Sequence, residues 1–151
     1  MAKVLVSLAA VLILVGPAVA EEDTGPNPVE IAKRCADRLD KASEQCAKCM
    51  AATAARTVKD IQRLLAAEKP AAARALARRR IESIHKKADH CVKAIRVQAA
   101  KCIHVLNRLG APELADRLAG VRERAVTVVR RAERAAVKAI RAALPGPDTE
   151  E

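Results

Sequence analysis

Leu64-Leu65-Ala66-Ala67-Glu68-Lys69-Pro70-Ala71-Ala72-Ala73-Arg74 is the stretch on which the fold turns. Proline lacks the backbone donor an interior helical residue needs, so a helix arriving at Pro70 ends just before it or kinks. Outward from this stretch the cysteines lie at matched distances, first Cys46 and Cys91, then Cys35 and Cys102. In an antiparallel hairpin, facing residues have a constant index sum. Both cysteine pairs add to 137, and the shared midpoint falls at Glu68-Lys69. Eleven residues separate Cys35 from Cys46, and eleven separate Cys91 from Cys102. That is three helical turns plus ~20°, so the two cysteines of each helix share one face. The register predicts disulfides Cys35–Cys102 and Cys46–Cys91, with Cys49 as the free thiol.

The flanking segments carry helical periodicity. Ile31, Cys35, Leu39, Ala42, Cys46, Met50, Ala54, Ile61 and Leu65 recur at steps of three and four, the stripe of an amphipathic helix. A second stripe runs through Ile81, Ile84, Ala88, Cys91, Ile95, Cys102, Val105 and Leu109. Gly110 is suited to cap that helix, because glycine takes positive φ cheaply. Pro112 fits the first turn of a third helix, and Glu113 and Asp116 complement its dipole. Leu114, Leu118, Val121, Ala125, Val128, Ala132, Ala136 and Ile140 make the third stripe, before the breaker Pro145-Gly146-Pro147. Period-two alternation is absent after the N-terminal apolar run. The predicted fold is all-α: a long antiparallel helical hairpin with a third packed helix, a rod-like bundle stapled by disulfides.

The ends organise the chain further. Met1–Lys3 is a short basic start, Val4 to Val15 is apolar apart from Ser7, and Ala18-Val19-Ala20 precedes Glu21. This is a secretory signal layout, with cleavage expected after Ala20. The expected division is a signal peptide over 1–20, a flexible lead-in over 21–28, a helical domain over 29–144 and a disordered acidic tail over 145–151. Export to a periplasmic or extracellular compartment places the cysteines where disulfides persist. The chain contains no Phe, Tyr or Trp. Aromatics usually bury the largest area per residue, so a core of Ala, Val, Leu and Ile is thin and gains most from covalent staples.

The four paired cysteines resemble the twin-cysteine helical hairpins of the CHCH type, which carry two Cys per helix with nine residues between them. Here the gap is ten, the helices are longer and Cys49 is additional. The resemblance implies the hairpin geometry. Export, basicity and helical hairpins are also similar to small helical envelope chaperones, whose Leu-Thr-x-x-Gln repeats this sequence lacks.

Cys46-Ala47-Lys48-Cys49 is a C-x-x-C without the βαβ setting of a redox motif, and Met50 stands where haem attachment requires His. The alternative to the disulfides is a metal- or thiol-handling site of Cys46, Cys49 and Cys91, with His90 beside them. His90, however, lies ~100° round the helix from Cys91. Cys49 is expected to be a small buried hydrophobe, the alternatives being a cross-link between two copies or exchange with Cys46. His85, His90 and His104 are expected to be solvated. No Ser-His-Asp arrangement, paired-carboxylate signature or Gly-rich phosphate loop is present, so neither an enzyme nor a cofactor is expected.

Charge is more informative. The net charge is +10, and residues 30–144 hold 27 Lys and Arg against 12 Asp and Glu, a surplus of 15. Arg74, Arg78, Arg79, Arg80, Lys86 and Lys87 crowd the second helix. Arg117, Arg124, Arg131, Arg134, Lys138 and Arg141 mark the third as the expected anion-binding surface. Such a surface attracts anionic lipid, acidic glycan or another polyanion. An ordinary solvated face accounts for it equally. Nucleic acid is disfavoured by export and by the lack of aromatics to stack on bases. A homo-oligomer is compatible with the sequence. The expected function is exported, non-enzymatic binding or a structural role.

Overall fold

The computed structural model describes residues 25–146. The expected signal peptide, lead-in residues 21–24 and tail residues 147–151 lie outside the described residues. The described chain is α1 (Pro28–Ala66), α2 (Pro70–Arg108) and α3 (Pro112–Ala142), all three packed on one another, with no strand among the described residues. At 1.5 Å per residue the 39-residue helices α1 and α2 are ~58 Å long.

Local chemistry sets the ends. The Asn27 side chain accepts a hydrogen bond from the Val29 amide at 3.0 Å, capping α1. Each helix opens on proline, and Pro28, Pro70 and Pro112 are equally spaced. The two turns are built alike. After α1, the Lys69 amide donates to the Leu64 carbonyl and the Glu68 amide to the Leu65 carbonyl. After α2, the Ala111 amide donates to Leu106 and the Gly110 amide to Asn107. Both are Schellman closures, which need a left-handed residue. Gly110 supplies it at φ 70°, and Glu68 adopts it at φ 55° despite its Cβ.

Both predicted disulfides are present, Cys35–Cys102 and Cys46–Cys91, with Cα atoms 6.5 Å apart in each. That lies within the ~4.4–6.8 Å a disulfide tolerates. Of the alanines flanking the bridges, Ala99 is fully buried and Ala47 half-buried, whereas Ala42 and Ala94 are exposed. α3 runs parallel to α1: Ala32 and Ala36 share a groove with Leu114 and Leu118, and Val58 and Gln62 share one with Ala135 and Ala139.

The core runs through Leu39, Met50, Ile61, Ile84, Ile95, Leu106, Leu118, Val129 and Ile140, with alanines such as Ala73, Ala88 and Ala125 between them. Its buried hydroxyls are satisfied locally. The Ser43 hydroxyl donates to the Asp40 carbonyl, and that of Thr57 to the Thr53 carbonyl. Four positions of the predicted stripes are corrected, the exposed Ala42 of α1 among them. Val105 (42 %), Leu109 (37 %) and Val128 (41 %) are exposed, while Leu106 and Val129 are fully buried in their stead. The cause is helical drift. Steps of three and four are interchangeable locally, and a stripe position taken one residue early lies ~100° off the core.

Candidate anion-binding surface

α3 has two faces. Leu118, Ala125, Val129, Ala136 and Ile140 are buried against α1 and α2. Arg117, Arg124, Arg131 and Lys138 recur every seventh residue on the opposite side, two turns or ~10.5 Å apart, with Arg134 and Arg141 beside them. All six are exposed. None of the six makes an ion pair among the described residues. From Arg117 to Arg141 the row is ~36 Å long.

The nearby acids explain why the row stays uncompensated. Glu123 is held by its neighbour Arg122 at 2.9 Å. Glu133 points the other way, into the α2–α3 interface, where its side chain is only 10 % exposed. Its Oε1 lies 2.6 Å from Nδ1 of His85, and its Oε2 accepts from Arg130 at 2.9 Å. Arg130 reaches on to Asp89 of α2 at 2.7 Å. Burial pushes the Glu133 carboxyl up, but the hydrogen bonds from His85 and Arg130 outweigh it and hold the group below the usual glutamate range. Glu113 and Asp116 sit at the N-terminal end of α3, so the positive face is densest from Arg124 onward.

Toward its C-terminal end the face is indented. A cavity of ≈ 540 Å³ is lined by His85, Glu133, Arg134, Val137, Lys138, Arg141 and Ala142. The sequence singled out three of these cations and expected His85 to be solvated, which at 49 % side-chain exposure it is, but it foresaw no contact between His85 and Glu133. The signal was available: His85 with Glu133 and Asp89 with Arg130 have nearly equal index sums, centred on the turn at Leu109-Gly110. The basic cluster on α2 is partly compensated, since Lys86 pairs with Glu82 at 2.6 Å.

Cys49 is the free thiol among the described cysteines, and it is half-buried rather than a core hydrophobe. The Lys87 ammonium of α2 lies 2.7 Å from its sulfur. In the metal-handling alternative Cys46, Cys49, Cys91 and His90 act together. The structure instead joins Cys46 to Cys91 and leaves His90 exposed. No cluster of three or more His, Cys, Asp or Glu able to hold a metal ion occurs among the described residues. No described helix is long and apolar enough to cross a membrane. Comparison with protein-family models, curated proteins and solved structures gives no match for this chain.

Proposed function

We propose that this chain is an exported, non-enzymatic helical protein that attaches through the outer face of α3 to an anionic component of the cell envelope. The observation that carries the reading is the row of six exposed Lys and Arg side chains on α3, none of them paired with an acid among the described residues. A cation already paired in place gains little from a second anion; an unpaired one is free to release counterions and bind. Export is supported by the apolar run and small-x-small exit before Glu21, and by two disulfides that need an oxidising compartment to persist.

Co-sedimentation with anionic and neutral vesicles at low and high salt tests the attachment. Binding is expected to anionic vesicles alone and to fall as salt rises. Equal binding to neutral vesicles, or none at low salt, refutes it. Intact mass of the exported protein tests the processing: a chain beginning at Glu21 is expected, and a membrane-held chain retaining Met1–Ala20 excludes the reading of a free envelope protein.

A further inference from the structure

The outward face of α3 is a row of separate charges for most of its length, and becomes a site near its C-terminal end. There Arg134, Lys138 and Arg141 border the ≈ 540 Å³ cavity whose apolar lining is Val137 and Ala142 and whose α2 wall is His85. Small-molecule sites commonly fall between ~300 and 1,000 Å³. Residues three and four apart on a helix stand ~5–6 Å apart at Cβ, so these cations can close on a single compact anion. Arg134 and Arg141 are joined in this way by Lys138, four residues from one and three from the other, whereas no cation stands between Arg117 and Arg124 at such a step.

The carboxylate in the lining does not oppose this. Both Glu133 oxygens are already engaged, Oε1 by His85 and Oε2 by Arg130. The cations of the rim outnumber it three to one and have no ion-pair partner among the described residues.

We infer that this cavity seats the headgroup of a phosphate monoester, with Arg134, Lys138 and Arg141 clamping the phosphate and Val137 and Ala142 packing against the first apolar atoms of its stem. A phosphomonoester carries about −1.5 to −2 at neutral pH on three acceptor oxygens, which suits three converging cations better than the single charge of a carboxylate or diester. The two guanidinium groups add the planar fork that matches phosphate oxygens in pairs. The inference rests on the attachment reading of α3 and names its ligand class.

Vesicles of phosphatidylcholine carrying phosphatidic acid provide the test, with three oxidised proteins compared at low salt: the wild type, R134Q/K138Q/R141Q and R117Q/R124Q/R131Q. Both variants lose three exposed charges, so diffuse attraction predicts equal losses of affinity. A seated headgroup predicts that the first variant loses at least about tenfold more than the second, or ~1.4 kcal/mol. Equal losses overturn the site and leave surface attachment standing; no loss in either variant overturns both. Unchanged helical circular dichroism verifies that the fold is intact in each. Inorganic phosphate is expected to displace the wild type from the vesicles more effectively than chloride at equal ionic strength, and equal displacement overturns the phosphate assignment. Direct titration separates the sources. Affinity for inorganic phosphate well below that for the vesicles supports a phosphate on an apolar stem, and affinity just as high overturns the role given to Val137 and Ala142.

Discussion

His85 Nδ1 and Glu133 Oε1 meet at 2.6 Å across the α2–α3 seam, with Arg130 on the second carboxylate oxygen. The folded state therefore holds Glu133 ionised below its ordinary range. A carboxyl depressed in this way contributes stability that is present above the unfolded value, near 4.5, and is lost as pH falls through the folded one. Glu133→Gln is expected to lower stability by about 1–3 kcal/mol at neutral pH, because Arg130 and His85 lose a charged acceptor. Thermal melts across pH check it: the gap between wild type and variant should narrow progressively as pH falls below about 4.5. A constant gap excludes this account.

The two interhelical turns share one geometry but not one residue type at the left-handed position. A side chain at positive φ costs roughly 1 kcal/mol, and glycine escapes that cost. Glu68→Gly should raise stability by about 0.5–1 kcal/mol, whereas Gly110→Ala should lower it by about 1 kcal/mol. Urea unfolding with unchanged slope reads both, and the opposite signs are the diagnostic.

Leu106 and Val105 are neighbours in sequence and opposites in burial, 0 % against 42 % exposed. Leu106→Ala should cost about 2–5 kcal/mol, since α2 cannot close over the cavity without moving the bridged pair at Cys102. Val105→Ala should change stability by no more than about 0.5 kcal/mol. Comparable losses in the two variants would place the α2 stripe one residue earlier.

Non-reducing peptide mapping should return Cys35 with Cys102 and Cys46 with Cys91, and alkylation of the oxidised protein should label Cys49 alone. Cys49→Ser should leave the melting midpoint nearly unchanged. Breaking Cys46–Cys91, which closes a sequence separation of 45, should cost up to about 4 kcal/mol in the loop-entropy picture when the outer bridge is also absent. With the outer bridge intact the loss should be smaller, because the loop remains mostly closed.

The hairpin was legible because three local signals agree on one register: the break at Pro70, the common face of each cysteine pair and their shared midpoint. The finer faces were less legible. Alanine-rich helices offer apolar residues at several angles, so Val105 and Val128 fit a stripe on paper as well as Leu106 and Val129. Only packing against two neighbours at once decides between them. Ala42 likewise fits the α1 stripe on paper but faces solvent. At the candidate site the exposed cations were readable from composition and spacing. The inward turn of Glu133 was harder to read, because no cysteine marks the α2–α3 register and it shows only in the near-equal index sums of His85 with Glu133 and Asp89 with Arg130.

Both covalent rungs join α1 to α2, while α3 is held by packing, by the His85–Glu133 and Asp89–Arg130 contacts and by the Leu109–Ala111 turn. Because α3 runs parallel to α1, the N-terminal and C-terminal ends of the bundle face opposite ways. A load drawn between them enters at Pro28, crosses from Cys35 directly to Cys102 and continues into α3. The intervening sequence separation of 67 is thereby shielded from tension. Under pulling, α3 should shear away first and let out ~40 residues, roughly 140 Å of chain at full extension. The bridged hairpin should remain folded behind it, a stop to further lengthening that a reductant removes.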